Sequence, residues 1–192
     1  YFAKMVEAGC DSVVMEVSSQ GLMLHRTAGI PFEIGIFTNL GEDHIGPNEH
    51  KDFEDYKRCK GLLFQQCRVG IANADDRYFK DVFKNATCKV ETFGFCKEAD
   101  LRAEDVNLVS RPGYLGVAYH VAGVMDFDVE IDVPGTFSVY NSLTAIAVCR
   151  HFDVPKEHIQ AALKKAKVKG RIEMVKVSDE FTLMIDYAHN AM

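Results

Sequence analysis

The sequence predicts an α/β fold, with a mostly parallel sheet flanked by helices and a small antiparallel β-meander, and three observations carry that expectation. Short continuous runs of β-formers, such as Ile34-Gly35-Ile36-Phe37 and Val69-Gly70-Ile71-Ala72, stop abruptly at polar residues, the pattern of strands buried on both faces. Segments of helical period separate these runs, as in a βαβ succession. From about residue 103 to 133 the rhythm changes to alternating apolar and polar residues around Arg111-Pro112-Gly113 and Ala122-Gly123, which reads as antiparallel strands with one wet face.

Taken in order, residues 1–9 place Phe2, Met5 and Val6 at helical spacing, and Gly9 suits the left-handed position that ends a helix. Ser12-Val13-Val14-Met15 reads as a buried strand and residues 16–21 as the polar loop leaving it, so Glu16 stands at a strand end. Gly29-Ile30-Pro31 marks a turn before the strand at 34–40, which delivers Asp43 and His44. Asp52 caps a helix running to about Gln66, on which Phe53, Tyr56, Lys60, Leu63 and Cys67 share one face. Lys60 thus stands where a leucine would be expected. Either its stem lies along apolar surface while the amine reaches water, or the amine is buried because its chemistry is needed. Strands at 69–73 and 88–93 bracket a helix through Phe83, with Asp75 as its cap. After the meander come helices at 140–149 and 156–166, then strands at 171–175 and 181–185 around a turn at 178–180. The last strand delivers Asp186 and His189.

With 192 residues and 47% hydrophobic content, the chain can bury a full core as one domain or one domain with a small lobe. No apolar run is long enough to cross a bilayer, so the chain reads as soluble. A formal charge of −6 argues against non-specific grip on nucleic acid, which requires clustered Lys and Arg. Six cysteines without a C-x-x-C pair suggest neither a zinc ribbon nor a disulfide frame, and a reducing cytoplasm fits them. The chain opens without Met inside a helical pattern and closes just after a motif, which reads as a piece of a longer protein.

Strand ends of a parallel sheet converge, so Glu16, Asp43 with His44, and Asp186 with His189 form a candidate site for a hard cation such as Mg²⁺ beside a phosphate-bearing ligand. Arg171 could set a guanidinium against phosphate, and Asp186 could accept from a ribose hydroxyl. Each of these is alternatively a solvated turn charge. Neither G-x-x-x-x-G-K-[ST] nor G-x-G-x-x-G occurs. From the residues alone the reading is an α/β domain with an anion or metal site.

Seven ordered motifs narrow it further. They are residues 15–22 (Met-Glu-Val-Ser-Ser-Gln-Gly-Leu), 37–44 (Phe-Thr-Asn-Leu-Gly-Glu-Asp-His), 56–60, 73–76 (Asn-Ala-Asp-Asp), 134–141, 170–173 and 186–189. In this order they resemble the Mur ligases over nearly the whole chain, most nearly the members that add the third amino acid. The resemblance implies that residues 1–192 are a fragment of the central, ATP-binding domain. The phosphate loop would lie upstream and the amino-acid-selecting domain downstream, so the fragment alone is expected to be inactive. It also implies a cytoplasmic, monomeric enzyme that uses ATP to convert a carboxylate of a UDP-N-acetylmuramoyl peptide into an acyl phosphate. An amino acid then attacks it, in peptidoglycan synthesis, with neither nucleic acid nor membrane as partner.

By the same resemblance Glu16, His44 and a carbamylated Lys60 would hold Mg²⁺. Asn141 would contact the adenine side, Arg171 the phosphates and Asp186 the ribose, with His189 near the nucleotide, while Ser18 and Arg26 would bind the UDP-muramoyl peptide. The sequence departs from the family pattern at Leu24, where some members carry a substrate-binding Gln. It departs again in the loop after His44, where His50 follows Ile45-Gly46-Pro47-Asn48-Glu49. Related amide ligases on the same scaffold, such as the D-alanyl-D-alanine-adding, folylpolyglutamate and cyanophycin enzymes, are the rival activities. A nucleotide-binding module without chemistry is the non-enzymatic one.

Overall fold

Three parallel pairings join four strands: β1 (Phe32–Phe37) with β2 (Cys67–Asn73), β2 with β3 (Lys89–Gly94), and β3 with β4 (Leu101–Arg111). β5 (Tyr114–Gly123) and β6 (Phe127–Ile131) then add antiparallel, so the six strands lie side by side in sequence order. The meander expected at 103–133 is therefore continuous with the parallel strands. These features come from a computed structural model that describes every residue except 43–44, 112–113, 168–171, 176–180, 182 and 187–192, and of Met174 only the backbone.

The period of two along the strands sends side chains to opposite faces and explains both layers of packing. Val69 and Ile71 of β2 join Phe93 and Val121 in a core closed by Val139, Leu143 and Ile146 of α5 (Thr136–Arg150) and Ile159 of α6 (Lys156–Leu163). Phe37 belongs to a second cluster with Tyr56, Phe64 and Val82, built by α3 (Phe53–Gly61), the 3₁₀ turn Leu62–Gln65 and α4 (Phe79–Val82). Helices thus cover both faces of the parallel part, which is why its strands read as unbroken apolar runs. Each fully buried Phe, Ile or Leu in these clusters contributes roughly 1.5–3 kcal/mol.

Local signals set several boundaries. Asp52 accepts the Asp55 N–H at 2.7 Å and starts α3 as expected. Gly9, at φ +75°, follows α1 (Phe2–Glu7). Other expectations are corrected. Residues 12–15 form no strand, and Val14 is 96% exposed. A β-forming run becomes a strand only when a neighbour takes its backbone hydrogen bonds, and among the described residues β1 pairs with β2 alone. The supposed loop at 16–21 contains the start of α2 (Ser19–Met23), because the Ser18 hydroxyl accepts the Gly21 N–H at 3.0 Å. Asp75 does not cap α4; Asp76 accepts the Tyr78 N–H at 2.8 Å, and Asp75 turns to the chain beyond β3. The last strands, β7 (Glu173–Val175) and β8 (Leu183–Ile185), make a separate antiparallel pair. The turn assigned to 178–180 lies outside the described residues. Among those described, no helix is long and apolar enough to cross a membrane.

Candidate functional site

A cavity of about 660 Å³ lies between residues 11–17 and β1, and it is lined by Glu16, Thr38, Asn39, Lys60 and Phe64 among others. Each element supplies its share for a local reason. β1 ends at Phe37, so Thr38 and Asn39 leave the sheet at its carboxyl edge, where α/β folds gather ligands. Lys60 sits one turn after Tyr56 on the inward side of α3, half-buried, with Nζ 5.1 Å from the Tyr56 ring centre. Glu16 comes from the extended segment before α2.

Two lysines of α3 show what is particular about this place. Lys57 is held by Glu54 and Asp81, each at 2.8 Å. Lys60 forms no ion pair among the described residues. Burial pushes its ammonium below the usual lysine range, while the Glu16 carboxylate pulls the other way without prevailing. Glu16 and Lys60 are thus electrostatically coupled across one cavity, and the neutral amine is more accessible there than on a solvated lysine. A free amine beside a carboxylate can act as a nucleophile or accept a proton; as an ammonium it would repel a metal ion.

The other residues singled out by sequence fall as follows. Ser18 is exposed at the start of α2, its oxygen already accepting the Gly21 N–H. Arg26 is exposed in the turn after α2, its N–H bonded to the Gly21 carbonyl at 2.8 Å. Asn141 is exposed on α5, and Asp186 follows β8, where it accepts the Ile172 N–H at 3.2 Å. The convergence argument does not extend to Asp186, because β8 is not a strand of the six-stranded sheet. His44, Arg171 and His189 lie outside the described residues, as does Asp43.

Sequence reasoning missed how deeply His50 is used. It is fully buried, stacks on Tyr56 with ring centres 5.0 Å apart, and joins Ser19 Oγ at 2.8 Å to Asp55 Oδ2 at 3.4 Å. The connectivity is that of a Ser-His-Asp triad, but Ser19 is only 4% exposed, so a substrate carbonyl does not reach it. His50, Asp55 and Cys59 also form the one group among the described residues whose potential metal-ligand atoms lie within 4.8 Å of each other. The Arg58 guanidinium already fills it, donating to Asp55 Oδ1 at 2.7 Å and lying 3.3 Å from Cys59 Sγ. Burial pushes the Cys59 thiol up, which keeps it protonated. The cluster ties α2 to α3.

Comparison with known proteins identifies the domain. Residues 1–149, more than half of the chain, match the family model described as Mur ligase middle domain. The chain is 40% identical over 191 residues to UDP-N-acetylmuramoyl-L-alanyl-D-glutamate--2,6-diaminopimelate ligase 1 of Clostridium acetobutylicum, aligning 98% of itself with 39% of that protein. It is 37% identical over 191 residues to the 2,6-diaminopimelate ligase of Caldanaerobacter subterraneus, covering 98% of itself and 38% of that protein. A solved structure of a UDP-N-acetylmuramoyl-L-alanyl-D-glutamate--2,6-diaminopimelate ligase superposes with a TM-score of 0.76 at 27% identity, over 91% of this chain and 36% of that one. The UDP-N-acetylmuramate-alanine ligase of Thermotoga maritima, at 21% identity and a TM-score of 0.65 over 82% of this chain and 35% of its own, shares the fold. The chain spans about two fifths of the length of the curated relatives it matches. On the family model and these relatives together, the chain belongs to the Mur ligases and contributes their middle domain.

Proposed function

We propose that this is the middle domain of a cytoplasmic, monomeric ligase that uses ATP and Mg²⁺ to join 2,6-diaminopimelate to UDP-N-acetylmuramoyl-L-alanyl-D-glutamate. The observation that carries the reading is the coupling of Glu16 and Lys60 across one cavity beyond β1, in a chain 40% identical to a protein so named. In the reaction, an oxygen of the substrate carboxylate attacks the γ-phosphorus of ATP and the bond to ADP breaks, giving an acyl phosphate. The amine nitrogen then attacks the acyl carbon, the bond to phosphate breaks and nitrogen loses a proton.

The donor set fits Mg²⁺ on one chemical condition. Hard cations take oxygen ligands, and Glu16 offers a carboxylate, but a protonated Lys60 would oppose the ion. Burial favours the free amine. That amine attacks CO₂, forming an N–C bond and releasing a proton, and the resulting carbamate carries a negative charge and two oxygens. Glu16, the carbamate of Lys60 and His44 would then hold the metal, which when bound offsets phosphate charge during transfer. Ser18 retains its O–H for donation to the UDP-muramoyl peptide, and Arg26 adds a cation to the same surface. By the same reading Asn141 would contact the adenine side, Arg171 the phosphates and Asp186 the ribose, with His189 serving the nucleotide.

The test is product analysis with the full-length protein. ATP, Mg²⁺ and UDP-N-acetylmuramoyl-L-alanyl-D-glutamate are supplied with 2,6-diaminopimelate or with lysine, and the products are weighed by mass spectrometry. The expected result is one ADP per new amide with 2,6-diaminopimelate. ADP without an amide product, or amide formation only when D-alanyl-D-alanine is offered to a tripeptide substrate, would overturn the assignment.

A further inference from the structure

Residues Asn73-Ala74-Asp75-Asp76 leave the carboxyl end of β2 and bond to the chain leaving each neighbouring strand. Asn73 Nδ2 donates to the Thr38 carbonyl at 2.9 Å, and its Oδ1 accepts the Asp75 N–H at 3.0 Å. Asp76 accepts the Leu40 N–H at 2.9 Å through Oδ2 and the Tyr78 N–H at 2.8 Å through Oδ1. Ala74 N–H donates to the Phe93 carbonyl of β3 at 2.8 Å. Asp75 reaches further, accepting the Phe95 N–H at 2.5 Å, the Cys96 N–H at 3.0 Å and the Tyr140 hydroxyl of α5 at 3.0 Å.

An aspartate used only as a helix cap satisfies the first turn of one helix. These two carboxylates instead take hydrogen bonds from residues 40, 78, 95–96 and 140, which belong to separate segments. The backbone has been shaped to admit Asp75. A Cβ on Gly94 would stand 2.6 Å from its Oδ2, so a side chain there would push the carboxylate out. The Phe95 and Tyr140 rings meet edge to face at 4.9 Å, closing the same corner. Burial opposes ionisation of Asp75, yet the Phe95 and Cys96 groups and the Tyr140 hydroxyl outweigh it and hold the carboxyl below its usual range.

What these bonds hold lies at the ends of the strands rather than in the core. Thr38 and Asn39 line the cavity with Glu16 and Lys60, and Leu40 follows them directly. Tyr140 immediately precedes Asn141 on α5. We infer that Asp75 and Asp76 are positioning residues for the nucleotide site, each acting on a different part of it. Asp75 sets the early turns of α5, and with them Asn141. Asp76, helped by Asn73, sets residues 38–40, of which Thr38 and Asn39 line the cavity with Lys60. The inference rests on the ligase reading for the roles of Asn141 and Lys60. Groups that must meet a ligand within a fraction of an ångström lose binding or rate when their supports shift, which makes a positioning role measurable.

Steady-state kinetics of the full-length protein with D75N, Y140F and D76N tests it. An amide at position 75 offers one acceptor oxygen in place of two and turns an NH₂ toward the N–H donors. D75N is expected to raise KM for ATP about tenfold while kcat falls less than threefold, and Y140F to raise it about threefold. D76N is expected to lower kcat about tenfold and to raise the Mg²⁺ concentration for half activity, with KM for ATP within twofold. Y140F removes a single hydroxyl, so it keeps the test decisive if D75N does not fold. Equal losses of kcat in all three variants with KM for ATP unchanged would reduce the motif to a stability element and overturn the inference. A wild-type protein that makes no product would instead sink the ligase reading itself.

Discussion

His50 is a polar residue in a loop of the sequence and a fully buried one in the fold, and its hydrogen bonds explain the difference. Removing its ring would strand the Ser19 hydroxyl, take a partner from Asp55 Oδ2 and leave a void beside Tyr56. His50→Ala is therefore expected to cost about 2–4 kcal/mol, read as a lower urea midpoint with unchanged slope. A loss under about 0.5 kcal/mol would mean that the α2–α3 tie is not structural. Nothing in the spacing of Gly46-Pro47-Asn48-Glu49-His50 separates a ligand from a buried brace, because the bond to Ser19 spans 31 positions. Lys60 was more legible: a cation among Phe53, Tyr56 and Leu63 at helical spacing breaks the apolar pattern, and the structure keeps it half-buried without an ion pair among the described residues. Lys57, one position off that face and not singled out by the sequence, is more buried still, because Glu54 and Asp81 neutralise it.

Among the elements, β3 and α5 are joined by Glu91, which contacts Lys89 and His151 at 2.8 and 2.9 Å and is also bonded to Arg150. Burial works against ionisation there, but Lys89, His151 and Arg150 prevail and hold the Glu91 carboxyl at about 2, against an ordinary 4.5. A carboxyl lowered by folding stabilises the charged native form. Its contribution is full above about pH 4.5 and is lost as pH falls toward about 2. After allowance for solvent near the exposed Lys89, about 1–2 kcal/mol depends on it. Glu91→Gln should lower stability by that amount at pH 7 and by nearly nothing at pH 2, measured by urea unfolding at both. An equal loss at both values would assign the effect to packing.

The elements also divide by legibility. Strands β1 to β3 were readable because helices on both faces demand unbroken apolar runs. Residues 12–15 carry the same signal without a partner strand, and a sequence does not state whether a partner is present. Asp75 followed the capping rule in the sequence, and only the fold brings Phe95, Cys96 and Tyr140 close enough to claim its oxygens.

At the scale of the molecule, the parallel succession and the switch to alternation near residue 103 sufficed for the fold class, since both follow from which faces are covered. That all six strands form one sheet was not legible, because the turn from β3 into β4 is irregular and gives no periodic signal. Of the residues that line the cavity, Lys60 was legible as a break in an apolar helix face, whereas Glu16 was read as a strand end and comes from a segment that forms no strand. Asp186 was misread as a neighbour of these groups, since among the described residues its strand pairs with β7 and lies outside the six-stranded sheet. The account depends on Glu16 and Lys60 acting as a unit within a ligase, and turnover by full-length Lys60→Ala tests this most directly. ADP release that requires both the UDP-muramoyl peptide and the amino acid is expected to fall at least about 100-fold, with thermal stability little changed. Turnover within threefold of the unsubstituted enzyme would contradict it.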